Sequence, residues 1–171
     1  MGRNIIMVGF MGSGKTTTGK KVAKKLGYKF FDTDKYIEEK EGISITEIFA
    51  LKGEPYFRSL ELEVAKEISE SENMVIGTGG GMVKNYEIMK LLKVNGVAVY
   101  LKASAEKIAY NLRNDNTRPL LTGGDKLTKI KVLLAERESF YIKNADIMVE
   151  TDKKTPDIVA KNIIDKLEGI I

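Results

Sequence analysis

The sequence contains no cysteine and no histidine among its 171 residues. Without cysteine there can be no disulfide bond and no thiolate metal site, which is typical of proteins in a reducing compartment, and we therefore expect a cytoplasmic location. Without histidine the side chain that enzymes use most often as a general base is missing. If the protein is an enzyme, another group must handle the proton.

Long hydrophobic runs are missing as well. The amino-terminal stretch MGRNIIMVGF has too short an apolar part for a signal peptide, and no later run is long enough to cross a membrane. The formal net charge is only +4, and no single block of lysine and arginine dominates the chain. Such a charge suits small anionic ligands as well as nucleic acid. We expect neither a membrane nor a nucleic acid as partner.

What the sequence does contain is an alternation of short apolar runs with helical patterns. Hydrophobic residues make up 43% of the chain, enough for a core in one domain spanning residues 1–171. The apolar runs predict five strands, at Ile5–Val8, Lys29–Phe31, Met74–Ile76, Val97–Leu101 and Ile147–Val149. Because helical patterns separate these runs, we predict an α/β fold of three layers, with a parallel sheet covered by helices on both faces.

The most specific motif is GFMGSGKT, residues 9–16, between the first strand and the first predicted helix. It matches the phosphate-binding loop, or P-loop, pattern G-x-x-x-x-G-K-[ST] in the strand–loop–helix context that the pattern requires. Glycines let successive N–H groups point at an anion, and the helix dipole adds to the attraction. Lys15 would reach the outer phosphates and Thr16 would bind Mg²⁺, so a chance glycine-rich turn is the weaker interpretation.

Two further features narrow the class of P-loop protein. An Asn-Lys-x-Asp guanine signature is missing, and the third strand runs into TGGGMV without a terminal carboxylate. The carboxylate near the metal must then come from elsewhere, and Asp32 at the end of the second strand is the candidate. Three successive glycines, Gly79–Gly81, indicate backbone lying close to a ligand rather than a merely flexible turn.

Two arginines indicate an acidic substrate. Arg137 falls on the apolar stripe of the helix predicted over 126–143, where a guanidinium needs an anionic partner. The alternatives are an arginine that extends to solvent or one paired with a carboxylate such as Glu136. Arg58 lies three residues before Glu61, and by itself this spacing favours a surface ion pair worth about 0.2–0.5 kcal/mol.

These segments together resemble shikimate kinase over nearly the whole chain. The matching stretches, in order, are GFMGSGKTTTGK, FFDTD, YFRSLE, TGGGMV, the TRPLL loop at Thr117–Leu121 and RESFY at Arg137–Tyr141. The resemblance implies transfer of a phosphoryl group from ATP to shikimate, giving 3-phosphoshikimate on the route to chorismate and the aromatic amino acids. It also implies a P-loop kinase fold with strand order 2-3-1-4-5, a shikimate-binding region at about 33–61 and a mobile lid at about 114–125.

The resemblance also assigns roles to individual residues. For catalysis it implies Asp34, Lys15 and Arg118, with Asp34 on the attacking hydroxyl. For ATP it implies Gly12, Ser13, Gly14, Lys15, Thr16, Thr17, Arg113, Arg118 and Lys154. For shikimate it implies Asp34, Arg58, Gly79, Gly80, Gly81 and Arg137. For Mg²⁺, the implied cofactor, it implies Thr16 and Asp32.

Several alternatives stay open at this point. A gluconate or nucleotide kinase would share the P-loop, although it should not need Asp34, Arg58 and Arg137 around one small acid. An ATP-dependent regulatory or RNA-binding module would expose aromatic residues, whereas Phe57, Phe140 and Tyr141 are predicted in or beside core stripes. Asp34 could also serve only as the N-cap of the helix that follows the second strand. We expect shikimate and ATP as the partners of a monomer.

Overall fold

The computed structural model describes residues 2–171, and its centre is one parallel β-sheet. The sheet has five strands in the order β2-β3-β1-β4-β5. The strands are β1 (Asn4–Val8), β2 (Lys29–Asp32), β3 (Met74–Gly77), β4 (Gly96–Lys102) and β5 (Ile147–Glu150). The predicted α/β class and the strand order implied by the family resemblance are both confirmed.

Helices connect the strands, as parallel pairing requires. They are α1 (Lys15–Leu26), α2 (Thr33–Glu41), α3 (Ile45–Lys52), α4 (Glu54–Ile68), α5 (Tyr86–Lys93), α6 (Ala105–Asn111), α7 (Lys126–Asn144) and α8 (Pro156–Leu167). Helix α2 begins directly after Asp32, because the side chain of Asp32 caps it. The segment at about 114–125, where the family resemblance implies a lid, contains a short 3-10 turn at Pro119–Leu121.

Strand β1 is buried along its whole length, as its unbroken apolar run predicts. Ile6 and Val8 face one hydrophobic cluster, which includes residues of α4, α5 and α7, while Ile5 and Met7 face the other, which includes residues of α1 and α8. The sheet is therefore covered on both faces, and the three-layer prediction is confirmed.

A glycine inside α1 brings that helix close to the sheet. A Cβ added at Gly19 would lie 2.6 Å from Cε2 of Phe30, so only glycine leaves room for this ring. The close approach places the amino-terminal end of α1 beside the end of β2. As a result Thr16 and Asp32, which come from different elements, meet in space.

The carboxyl ends of parallel strands meet at one edge of a sheet, where α/β proteins bind their ligands. The P-loop follows β1, Asp34 follows β2, and the triple glycine follows β3. Strand β1 pairs with β3, and β3 with β2, so these three segments are neighbours. Within residues 2–171, none of the helices combines the length and the apolar character needed to span a membrane.

Candidate active site

The P-loop wraps around the start of α1. Gly12 and Gly14 have φ angles of 75° and 97°, a conformation that side chains other than glycine rarely adopt. The ammonium of Lys15 donates hydrogen bonds to the carbonyl oxygens of Gly9 (2.7 Å) and Phe10 (2.9 Å). Burial lowers the pKa of Lys15 to about 8, against the opposing influence of Asp34. Two carbonyl groups of the loop thus hold the ammonium of Lys15 in place.

A cleft of about 950 Å³ opens next to this loop. Its lining includes all nine residues predicted to contact ATP, namely Gly12, Ser13, Gly14, Lys15, Thr16, Thr17, Arg113, Arg118 and Lys154. The guanidinium of Arg113 lies over the ring of Tyr110, 4.0 Å from its centroid, and the ammonium of Lys154 donates to the Glu150 carbonyl at 3.0 Å. The predicted nucleotide residues therefore border one space of suitable size for a nucleotide.

Thr16 and Asp32 provide two oxygen donors at the edge of the cleft. The hydroxyl of Thr16 donates to Oδ2 of Asp32 at 2.9 Å. Residues 2–171 contain no cluster of three or more histidine, cysteine, aspartate or glutamate side chains that could hold an ion by themselves. Mg²⁺ binds by preference to one or two protein oxygens and takes the rest of its octahedral shell from phosphates and water. The pair fits such an ion.

Asp34 is not the cap of α2, and the helix-cap alternative is wrong. The cap is Asp32, whose Oδ1 accepts hydrogen bonds from the backbone N–H groups of Asp34 and Lys35, both at 3.1 Å. Oδ1 of Asp34 is buried and has no hydrogen-bond partner among residues 2–171. Burial, followed by the charge of Asp32, raises the pKa of Asp34. This carboxyl group is therefore free to accept a proton or a hydrogen bond from a ligand.

A second, smaller cavity of about 70 Å³ lies on the other side of Asp34. Its lining combines three cations and two carboxyl groups with the triple glycine and apolar side chains, and includes Asp34, Arg58, Glu61, Gly79, Gly80, Gly81, Arg118, Arg137, Phe49, Phe57 and Leu120. All six residues predicted to bind shikimate belong to this lining. Asp34, Gly80 and Arg118 border both cavities, so the two spaces adjoin.

Arg58 pairs with Glu61, but the pair does not lie on the surface. Nη1 of Arg58 is 2.8 Å from Oε2 of Glu61, and Nη2 is 3.0 Å from Glu54 Oε1. The side chain of Glu61 is only 1% exposed. Burial raises the pKa of Glu61 to about 7, although the charge of Arg58 opposes the shift. Oε1 of Glu61 has no partner among residues 2–171 and faces the cavity.

Arg137 is a buried cation that has no counter-ion among residues 2–171. It is 3% exposed, and its Nε and Nη1 atoms have no hydrogen-bond partner in the described chain, 2–171. Within the same residues it forms no salt bridge with Glu136 or any other carboxylate, so both alternatives weighed for it, solvent extension and pairing, are wrong. Its Cζ lies 5.6 Å from the centroid of the Phe10 ring. A buried guanidinium of this kind calls for an anionic ligand.

The triple glycine packs against the charged side chains of the smaller cavity. A Cβ added at Gly79 would lie 2.8 Å from both Asp34 Oδ1 and Glu61 Oε1, and one at Gly81 would lie 2.6 Å from Nη1 of Arg58. The hydroxyl of Thr33 accepts a hydrogen bond from the Gly79 N–H at 3.0 Å. Backbone therefore occupies the space that side chains would need.

The 114–125 segment covers the smaller cavity. Pro119 and Leu120 line it, Leu121 is 4% exposed, and the hydroxyl of Thr46 on α3 donates to the Thr117 carbonyl at 2.8 Å. Nε of Arg118 is 3.0 Å from Oδ2 of Asp115, while Arg118 borders both cavities. A cation therefore stands between the candidate nucleotide and acid sites.

Sequence reasoning missed some participants. Glu61 was expected only in a surface ion pair, yet it lies on the buried face of α4 with Leu60 and Val64. A carboxylate among these apolar positions could have indicated a buried functional group. No sequence signal distinguishes Thr33, which holds Gly79. The prediction that Phe140 is in or beside the core is wrong for this residue, because it is 36% exposed.

Comparisons with known proteins agree with this geometry. The family model for shikimate kinase matches residues 11–168. A shikimate kinase of Caldicellulosiruptor bescii is 49% identical over 162 residues, which cover 95% of this chain and 94% of the relative.

Two solved structures extend the similarity to three dimensions. Shikimate kinase from Acinetobacter baumannii in complex with shikimate has a TM-score of 0.95 at 34% identity, covering 99% of this chain and 95% of that one. Shikimate kinase from Aquifex aeolicus has a TM-score of 0.84 at 42% identity, covering 98% and 97%. The family prediction made from the motifs is thus confirmed, and the gluconate-kinase, nucleotide-kinase and RNA-module alternatives lose their support. The chain belongs to the shikimate kinase family and is an ATP-dependent phosphotransferase that acts on an alcohol group.

Proposed function

We propose that this protein transfers the γ-phosphoryl group of ATP to a ring hydroxyl of shikimate, giving ADP and 3-phosphoshikimate. The observation that carries the proposal is that the Arg137 guanidinium and the Asp34 carboxyl group line one small cavity, where Nε and Nη1 of Arg137 and Oδ1 of Asp34 have no hydrogen-bond partner among residues 2–171. A ligand that satisfies both must carry an anion at one end and hydroxyl groups at the other. Shikimate is such a molecule, and the structure of the relative from Acinetobacter baumannii was solved in complex with it.

In this proposal the nucleotide occupies the larger cleft. The P-loop N–H groups and Lys15 would bind the phosphates. The Gly9 and Phe10 carbonyls, which accept hydrogen bonds from Lys15, would hold its ammonium near the phosphates. Arg113 and Lys154 border the far part of the cleft and would contact the nucleoside. Thr16 and Asp32 would hold Mg²⁺, which neutralises charge on the phosphates when it is bound.

The acid site would bind the shikimate carboxylate through Arg137 and Arg58, because a planar guanidinium matches the geometry of a carboxylate. Arg58 already forms salt bridges with Glu54 and Glu61, whereas Arg137 lacks a counter-ion within residues 2–171. We therefore assign the larger share of carboxylate binding to Arg137. The backbone of Gly79–Gly81 would lie against the ring of the acid.

Asp34 would orient the attacking hydroxyl. In the transfer step the hydroxyl oxygen bonds to the γ-phosphorus, the bond from that phosphorus to the β,γ-bridging oxygen breaks, and the hydroxyl proton passes to Asp34. A loose transition state releases the proton late, so the carboxylate need only align the hydroxyl and then accept. Lys15 and Arg118 would stabilise negative charge on the transferring group.

The 114–125 segment would act as a lid that excludes water, since water reaching the γ-phosphoryl group would hydrolyse ATP. Gly123 and Gly124, with φ angles of 72° and 71°, lie at its end. All groups assigned above come from one chain, and we propose that the enzyme works as a monomer in the cytoplasm.

A coupled ADP-release assay over a panel of hydroxy acids tests the function. We expect turnover with shikimate far above the ATP-only rate, and little with gluconate or nucleoside monophosphates. Omission of Mg²⁺ should abolish turnover. Comparable rates with gluconate would contradict the assignment of the acid site, and rapid ADP release without any acceptor would contradict the lid.

A further inference from the structure

Tyr141 lies one helical turn after Arg137 on α7 and is completely buried. Its hydroxyl donates a hydrogen bond to the carbonyl oxygen of Gly80. Its ring stacks on that of Tyr100 in β4, with 5.1 Å between centroids and 22° between planes. Burial raises the pKa of Tyr141 to about 12, so the hydroxyl keeps the proton that it donates. The stacked pair of rings thus places the Tyr141 hydroxyl next to the triple glycine.

Gly80 is the residue at which several parts of the site meet. A Cβ built on it would lie 3.1 Å from the backbone nitrogen of Met11, 3.4 Å from Nη1 of Arg137 and 3.5 Å from the Gly9 carbonyl oxygen. The Gly80 backbone therefore lies close to the Arg137 guanidinium, and a rotation of this peptide would change its placement relative to that group. Glycine restricts its own backbone less than any other residue, so the restraint must come from neighbours.

Two side-chain hydroxyls supply such restraint from opposite sides. Thr33 accepts from the N–H of Gly79, and Tyr141 donates to the carbonyl of Gly80. Thr33 belongs to the start of α2, next to Asp34, whereas Tyr141 belongs to the helix that carries Arg137. The glycine segment is thereby tied to the element holding the carboxyl group and to the element holding the guanidinium.

We propose that Tyr141 is a positioning residue for the acid substrate: its hydroxyl fixes the Gly80 peptide and so sets the placement of the triple glycine relative to Arg137. The inference rests on the proposed function and assigns Tyr141 no contact with substrate. The P-loop side of Gly80 has bonds of its own, from Lys15 to Gly9 and from Asn111 to Gly12. The effect of the Tyr141 hydroxyl should accordingly concentrate on the acid and not on the nucleotide.

Tyr141→Phe tests this, with Tyr100→Phe as the matched control. Both variants keep the stacked rings and delete one buried hydroxyl, but only the first removes the hydrogen bond to Gly80. We expect Tyr141→Phe to raise KM for shikimate by roughly 3- to 12-fold, the effect of one hydrogen bond. KM for ATP should stay within about twofold, and Tyr100→Phe should leave both constants unchanged. Melting temperatures establish that both variants are folded at the assay temperature.

A loss of melting temperature in Tyr141→Phe with wild-type KM for shikimate would show that the hydroxyl serves only stability, and the inference would be wrong. An equal or larger rise in KM for ATP would show that the Tyr141 hydroxyl acts on the P-loop, and this result would also contradict the inference. Failure of the proposed function is a separate result, since the wild-type enzyme would then show no turnover with shikimate at all.

Discussion

Arg58 and Glu61 form an ion pair inside the protein, with 2.8 Å between Nη1 and Oε2. The Glu61 side chain is buried, whereas the Arg58 side chain is 28% exposed and also forms a salt bridge with Glu54. A buried pair of this kind contributes little net stability, but the loss of either partner leaves a charge without compensation. The pair therefore holds Arg58 at the acid site rather than simply stabilising α4.

The pH dependence of stability should report on Glu61. Its pKa is raised from 4.5 to about 7 in the folded protein, so the native state binds this proton more tightly than the unfolded chain does. The contribution to stability is thus complete below pH 4.5 and is lost as the pH rises through about 7. We expect the melting temperature of Glu61→Gln, relative to wild type, to increase across this range. A difference that does not change with pH would contradict a raised pKa.

Arg58→Met and Arg137→Met should separate binding from stability. Arg137→Met removes a buried charge that has no partner in residues 2–171, so thermal stability should hold or rise. Arg58→Met leaves Glu61 without its counter-ion and should cost about 1–3 kcal/mol of stability. Both should weaken shikimate binding, Arg137→Met by about 1.5–3 kcal/mol and Arg58→Met by less, and both should leave ATP binding unchanged in calorimetry. Loss of ATP binding with intact shikimate binding would reverse the assignment.

Asp34→Asn should lower kcat by roughly 10²–10⁴-fold, the usual effect of removing a general base. Folding and ATP binding should be nearly intact, because Asp32, not Asp34, caps the helix. Single-turnover kinetics and nucleotide titration check the two halves of this prediction. A near-normal kcat would exclude Asp34 from the chemical step.

Asp32→Asn should raise the Mg²⁺ concentration needed for half-maximal activity several-fold. Asparagine caps helices about as well as aspartate, so the bonds from the Asp34 and Lys35 N–H groups can persist and the melting temperature should change little. The loss is the charge that faces Thr16. An Mg²⁺ titration at saturating ATP and shikimate measures the effect, and an unchanged midpoint would remove Asp32 from the metal site.

Arg118→Ala should lower kcat by roughly 10²-fold or more with a smaller change in shikimate affinity, since its charge would act on the transferring phosphoryl group. Arg113→Ala is the control, because Arg113 borders only the nucleotide cleft and should raise KM for ATP. Steady-state kinetics with each substrate varied in turn distinguish the two arginines. Equal effects of both substitutions on kcat would show that Arg118 has no special part in transfer.

The fold was predictable because its signals are local. Each of these signals occupies only a few consecutive residues. They are the apolar run of β1, the glycine Gly27 that ends α1, and the P-loop. Residues that act through long-range contacts were harder to find. Thr33 binds Gly77 and Gly79, more than forty positions away, and no neighbouring residue signals this contact.

Asp34 and Glu61 show where sequence patterns become ambiguous. An aspartate at the start of a helix suits capping and catalysis equally well, and only the capping bonds to Asp32 separate the two roles. A glutamate three residues after an arginine suggests a surface pair, although here the helix turns that face inward. The burial of this face of α4 among α2, α3 and α5 decides the environment of Glu61, and the spacing of residues alone does not reveal that burial.

The triple glycine also limits how this enzyme can be redesigned. A methyl group at Gly79 or Gly81 would collide with Asp34, Glu61 or Arg58, so substitution there would disable the binding groups instead of reshaping the site. An engineer who wants a different acceptor must change the apolar part of the cavity wall, to which Ile45, Phe49 and Leu120 contribute replaceable side chains. Natural drift toward new acceptors faces the same restriction and should concentrate on that wall.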